Sequence, residues 1–145
     1  GAAKRPAVSH ATHTAEAHAM TKDARWMISL AALSIGLATA LGAFGAHGLR
    51  NVLSPDRLEV FETAVKYQFY HSLGLLGAGL TVAARERRGV RLAARLIVVG
   101  MVLFAGSIYA LTFGAPKAIG VVTPLGGLSL MTGWVLFALT IWSAR

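Results

Sequence analysis

Four long apolar stretches dominate this chain: Trp26–Ala46, Val65–Ala84, Leu96–Phe113 and Pro124–Trp142. A membrane-spanning helix needs about 20 predominantly apolar residues, because the hydrocarbon core is roughly 30 Å thick and each residue rises about 1.5 Å. Each stretch meets or approaches that length. We therefore predict an all-α integral membrane protein with four transmembrane helices, and the lipid bilayer is its first expected partner.

The charge of the chain is strongly positive, with 14 Lys and Arg against 6 Asp and Glu. In a soluble protein such an excess indicates nucleic-acid binding. Here the basic residues lie in short polar segments beside the apolar stretches, where they orient helices and meet anionic lipid headgroups. We therefore expect no nucleic-acid partner.

The distribution of basic residues predicts the orientation in the membrane. With four crossings, both termini and the segment between the second and third stretches lie on one side. All Lys and Arg lie on that side except Arg50, Arg57, Lys66 and Lys117. The positive-inside rule therefore places both termini in the cytoplasm. The segment between the second and third stretches is especially basic. We expect its arginines to set the topology and to contact anionic lipid headgroups; they are Arg85, Arg87, Arg88, Arg91 and Arg95.

Residues 1–24 differ from the membrane domain, residues 25–145, and predict a flexible tail because they lack an apolar core. The tail histidines His10, His13 and His18 are irregularly spaced and have no cysteine or carboxylate cluster beside them, so we predict no metal site there. The chain contains no cysteine, which excludes disulfides and Cys-ligated clusters. We predict no cofactor.

Small residues recur along the first stretch, where Gly36 and Ala40, Ala38 and Gly42, and Gly42 and Ala46 stand four residues apart. This spacing places small residues on one helix face, so that another backbone can approach closely. We expect this strip to pack inside the protein's own bundle, and a dimer interface is the alternative.

The segment before the second stretch begins a helix. Ser54, Pro55 and Asp56 form a helix start, with Ser54 as the N-cap. Either a short interfacial helix precedes the second span, or one helix of about 30 residues runs to Ala84. The last helix has two possible starts as well: at Pro124 with Thr123 as N-cap, or near Ala118 with a kink.

Polar residues cluster near the predicted outer ends of the first two stretches: His47, Glu62, Lys66, Tyr67, Gln68 and His71. Polar side chains this close to hydrocarbon are costly unless they face the bundle or find a partner. We expect Gln68 and His71 to point inward, His47 to meet His71, and Glu62 to pair with Lys66. The cluster is interpreted as a lock between helices, a proton or solute pathway, or a metal or catalytic centre, although HExxH and ExxH spacings are absent.

Four ordered motifs resemble one family. They are Leu41–His47, Phe61–Ser72, Leu103–Tyr109, and Thr123–Gly127 with Gly133 and Trp134. The chain resembles the small bacterial inner-membrane proteins of unknown function typified by YgdD and YwdK, over about Arg25–Ser143. The resemblance implies a four-helix fold in the bacterial inner (plasma) membrane. It implies no established activity or catalytic residue.

We expect a non-enzymatic accessory or stabilising subunit that packs against other membrane-protein subunits. The expectation follows from the small-residue faces and from the scarcity of ionisable groups within the stretches. The alternative is a small transporter or channel for a proton, an ion or a lipid-like solute, using His47, Gln68 and His71.

Overall fold

The computed structural model describes residues 20–144, and within that range it contains helices and no strand. The elements are α1 (Lys22–His47), α2 (Pro55–Ala84), α3 (Arg88–Thr112), a short 3₁₀ helix (Lys117–Val121) and α4 (Val122–Trp142). The all-α prediction is confirmed. The tail histidines lie outside the described residues.

Within residues 20–144, three segments are long and apolar enough to cross a membrane: α1, α3 and the continuous run Lys117–Trp142. Helix α2 is not among them, because its first half is charged and its uncharged second half is lowered in hydropathy by Gln68, His71, Ser72 and several glycines. Its 30 residues extend about 45 Å. A crossing by α2, and therefore the number of crossings, stays a prediction.

Side-chain caps explain where α1 and α2 begin. Thr21 accepts a hydrogen bond from the Ala24 backbone N–H, so α1 begins before the predicted span. Ser54 caps α2 by accepting from Arg57 N–H, and α2 then continues unbroken, which makes the single long helix the correct alternative. Only residues 85–87 connect α2 to α3. The predicted connecting segment was too long, because Arg88, Arg91 and Arg95 belong to the first turns of α3.

The 3₁₀ helix leads directly into α4 at Val122. Of the two predicted starts, the kinked helix from near Ala118 therefore fits better, and Thr123 does not cap α4. The Thr123 hydroxyl lies 2.6 Å from the Ser107 hydroxyl instead, and this contact joins α4 to α3. The preceding turn uses Gly114 at φ +94°, a conformation that residues with a Cβ rarely adopt.

Successive helices run antiparallel and pack against one another in sequence order. Gly45 of α1 lies beside Phe61 of α2, and Met27 lies beside Gly79. We call the end that contains the start of α1, the α2–α3 connection and the end of α4 the arginine end. The other end is the opposite end. Fully buried side chains, including Met27, Phe61, Leu75 and Ile97, fill the space between the helices.

The closest helix approach joins α3 to α4 through glycines. A Cβ on Gly100 would lie 2.7 Å from the Leu130 backbone nitrogen, and a Cβ on Gly133 would lie 3.1 Å from the Ala93 carbonyl oxygen. Gly126 lies against the backbone of Phe104. These glycines bring the two backbones together, as small residues do in membrane proteins.

The predicted strip on α1 does not make such an approach. A Cβ on Gly36 would meet nothing within 4 Å, and Ala40 and Ala46 are exposed. Ala38 and Gly42 are the exceptions, because Ala38 is buried and a Cβ on Gly42 would lie 3.5 Å from Val65 Cγ1. The strip therefore packs inside the bundle only at Ala38 and Gly42, and the rest of it points outward. A dimer through this strip stays a prediction.

Candidate functional site

A hydrogen-bonded network joins α1, α2 and α3 in the middle of the bundle. Gln68 Nε2 donates to the Ser34 carbonyl at 3.1 Å and lies 3.3 Å from the Ser34 hydroxyl, while Gln68 Oε1 accepts from the Tyr109 hydroxyl at 2.8 Å. Ser72 Oγ lies 2.7 Å from Ser34 Oγ and 3.5 Å from the Met101 sulfur. We call these five residues the midplane polar network.

This network leaves no polar atom without a partner. Every buried side-chain nitrogen and oxygen in residues 20–144 has a hydrogen-bond partner. Interhelical hydrogen bonds stabilise helix pairs in a bilayer, because an unpaired polar group is costly in hydrocarbon. Of the predicted polar residues, only Gln68 belongs to the network. The sequence signal for Ser34 and Tyr109 was a polar side chain within a largely apolar run, and Ser72 directly follows the predicted His71.

His47 and His71 do not meet. His47 is exposed at the end of α1 and, since Gly45 lies beside Phe61, it is level with the part of α2 just before Phe61. That level is about 17 Å from His71 at 1.5 Å per residue. The expectation that the two histidines come together is therefore wrong.

His71 faces α4 rather than α1. Its ring stacks on Tyr67, with centroids 5.8 Å apart and an interplanar angle of 20°, and its centroid lies 6.2 Å from that of Trp134. Its Nδ1 lies 2.7 Å from the Tyr67 carbonyl oxygen. The shared face predicted for Tyr67 and His71 is present, but His71 is only half-buried.

The remaining predicted residues lie on the surface of α2. They are Glu62, Lys66 and Tyr67, and all three are exposed. Tyr70, which was not among the predicted residues, is exposed beside them, and we call the surface formed by these four residues the α2 outer face. Glu62 and Lys66 form no ion pair. The two ion pairs between residues 20 and 144 both involve Arg91. Among the tyrosine hydroxyls in that range, only the hydroxyl of Tyr109 makes a hydrogen bond.

The depth of this face follows from the packing of α1 on α2. Gly45 lies beside Phe61 and Met27 beside Gly79, so the apolar stretch Trp26–Ala46 runs alongside residues 60–80 of α2. Lys66 is then level with a point about 9 Å inside the apolar stretch of α1, and Tyr70 is level with its middle, about 15 Å from the end. Polar groups on the α2 outer face therefore point away from the bundle beside the apolar middle of α1.

A groove of about 340 Å³ opens between α1 and α3. Ser34, Gln68 and Tyr109 form its polar part, and the rest of its lining is mostly Leu, Val and Ala. The three polar side chains already bond to one another through the midplane polar network. The groove contains neither His47 nor His71, so these two histidines and Gln68 share no common path.

The arginine end has its own charged cluster. Arg91 Nη1 lies 3.2 Å from Asp23 Oδ2 and also pairs with Glu86, and Trp26 Nε1 donates to Asp23 Oδ1 at 3.1 Å. A hollow of about 590 Å³ lies beside this pair. Of the predicted connecting arginines, Arg88, Arg91 and Arg95 line the hollow, whereas Arg85 and Arg87 do not.

No group of three or more His, Cys, Asp or Glu side chains that could hold a metal ion occurs within residues 20–144. The two histidines in that range, His47 and His71, are on different parts of the bundle.

Comparisons with known proteins point to one family. Residues 41–127 match the family model described as a protein of unknown function, DUF423. The chain is 41% identical to a UPF0382 membrane protein of Staphylococcus saprophyticus, over 77% of this chain and 92% of the relative. It is 39% identical to UPF0382 membrane protein YwdK of Bacillus subtilis, over 75% and 89%, and 35% identical to UPF0382 inner membrane protein YgdD of Escherichia coli, over 77% and 86%. No solved structure matches the chain.

Proposed function

Since the chain belongs to the DUF423 family, whose relatives are UPF0382 membrane proteins of unknown function, we propose that it is a non-enzymatic subunit that packs against another membrane protein through the α2 outer face. The family membership confirms the resemblance based on the four motifs. It supplies no activity, so the proposal depends on the geometry of this chain.

The observation that carries the proposal is the exposed position of Tyr70. Its side chain is 60% exposed, and it is level with the middle of the apolar stretch of α1. Lys66, level with a point about 9 Å inside the apolar stretch of α1, can extend its long side chain toward the headgroups. Tyr70 cannot, because the nearest polar layer is about 15 Å away. A hydroxyl that faces lipid without a partner is costly, so a protein surface covers it.

The side chains of the α2 outer face indicate which groups the partner carries. Lys66 and Glu62 favour a transmembrane helix with complementary charges at the same depth, and Tyr70 favours a hydrogen-bond acceptor one turn deeper. The interior supports a packing role as well, because the midplane polar network is fully paired. The same pairing, and the separation of His47 from His71, argue against the transporter or channel alternative.

The test is purification of the full chain from native membranes in a gentle detergent. We expect a partner in fixed stoichiometry that is lost from the double variant Lys66→Leu/Tyr70→Leu. The matched control is Thr132→Val, which removes a polar group from an exposed position on α4. We expect the control to retain the partner, because its hydroxyl bonds within α4.

Two outcomes would contradict the proposal. If the wild-type chain is isolated only as a free monomer, it does not bind a partner protein through the α2 outer face. Photo-crosslinking from position 70 that yields only a product of twice the chain mass assigns the α2 outer face to a second copy instead.

A further inference from the structure

Three arginines of α3 surround the hollow at the arginine end. The lining residues are Asp23, Arg88, Gly89, Arg91, Leu92 and Arg95. Arg88, Arg91 and Arg95 are spaced by three and four residues, so they project from one face of the helix. The hollow lies between the first turn of α1, which supplies Asp23, and the first two turns of α3.

The arginines differ in how their charges are balanced. Arg91 pairs with Asp23 and Glu86, and this contact holds it against α1. Arg88 and Arg95 make no ion pair with any residue between 20 and 144. Two guanidinium groups therefore border the hollow without an ion-pair partner in residues 20–144, and the third guanidinium, that of Arg91, neutralises the Asp23 carboxylate beside them.

We propose that this hollow binds the phosphate group of an anionic phospholipid, with Arg88 and Arg95 as the principal ligands. Guanidinium groups bind phosphate oxygens through paired N–H donors. The Cα atoms of Arg88 and Arg95 are about 10 Å apart along the helix, a separation that two long side chains can close around one phosphate.

The surroundings favour a lipid over a soluble phosphate. Leu92 lies one turn from both Arg88 and Arg95 and is 52% exposed, so apolar surface is available for an acyl chain beside the charges. The arginines also precede the apolar stretch of α3, which begins at Leu96. Basic pockets between helices at a membrane boundary are suited to anionic headgroups.

The experiment compares nanodiscs of phosphatidylcholine alone with nanodiscs that also contain phosphatidylglycerol. Binding is followed by the thermal unfolding midpoint of the full chain and by native mass spectrometry of retained lipid. We expect phosphatidylglycerol to stabilise the wild type. The double variant Arg88→Gln/Arg95→Gln should bind it about 10- to 30-fold more weakly, since two charges near the anionic surface are lost.

The matched control is Arg85→Gln/Arg87→Gln, which removes two charges from the adjacent α2–α3 connection, outside the hollow. We expect this control to keep most of the affinity. An equal loss in both double variants would overturn the site, because it would indicate diffuse attraction. So would an equal unfolding midpoint of the wild type in the two kinds of nanodisc.

Two further arms keep the result interpretable. Millimolar inorganic phosphate in phosphatidylcholine nanodiscs tests the soluble source, and stabilisation equal to that by phosphatidylglycerol would overturn the lipid assignment. If the glutamine variant does not fold, Arg88→Lys/Arg95→Lys replaces it. That variant keeps the charge but loses paired donors, so we expect reduced affinity, and unchanged affinity would overturn the role of these guanidinium groups.

Discussion

Gly126 of α4 lies directly against the backbone of Phe104 of α3. A Cβ at position 126 would lie 2.8 Å from Phe104 Cα and 2.9 Å from the carbonyl carbon of Leu103. Backbone atoms cannot move aside as a flexible side chain can. The contact between α3 and α4 therefore depends on the absence of a side chain at this position.

Gly126→Ala should lower the free energy of unfolding by about 1–3 kcal/mol, the usual cost of overpacking, because the two helices must separate. The measurement is unfolding in mixed micelles with increasing denaturing detergent. Gly36→Ala is the control, since its Cβ would meet nothing within 4 Å. It should be neutral or stabilising by up to about 1 kcal/mol. Equal destabilisation of both variants would contradict the packing.

Gln68→Leu should lower the free energy of unfolding by about 1–2 kcal/mol, because it removes interhelical bonds to Ser34 and Tyr109 within the membrane. The same unfolding assay measures it. Tyr67→Phe is the control, because the Tyr67 hydroxyl bonds to no residue in the described range, and it should change stability by less than about 0.5 kcal/mol.

A double-mutant cycle isolates the bond between Gln68 and Tyr109. We expect the effects of Gln68→Leu and Tyr109→Phe to be less than additive, because each removes the same hydrogen bond. Strict additivity would argue that the bond between these two side chains contributes nothing.

Cysteine pairs can test the register of α1 and α2 without background, because the chain has no cysteine. Ser34→Cys/Ser72→Cys should form a disulfide under mild oxidation, since the two hydroxyl oxygens lie 2.7 Å apart. His47→Cys/His71→Cys should not, because the two positions are separated by about 17 Å along the helices. Mobility in non-reducing electrophoresis distinguishes them, and the opposite pattern would refute the register.

The predicted orientation can be tested with a membrane-impermeant maleimide on intact cells. The thiol of Asn51→Cys, between α1 and α2, should be labelled, and that of Ser143→Cys, at the arginine end, should be labelled only after lysis. The reason is the positive-inside rule, since most basic residues lie at the arginine end. Labelling of position 143 in intact cells would reverse the orientation.

Much of the helical structure could be predicted from local sequence. Ser54 and Pro55 start α2 as expected, because a cap and a fixed φ act over a few residues. The strip on α1 shows the limit of such reasoning. Gly36 and Ala40 have the spacing of a packing face, yet the close approach uses Gly100, Gly126 and Gly133.

Apolar helices suited to a bilayer could be predicted from each segment alone, because length and hydrophobicity are local properties. The faces that turn inward depend on how the helices pack: packing pairs Gln68 with Ser34 and Tyr109, separates His47 from His71, and leaves Tyr70 exposed. The physical reason is that lipid is as apolar as a leucine side chain. Hydrophobicity therefore does not distinguish the inside of a membrane bundle from its outside, and packing must.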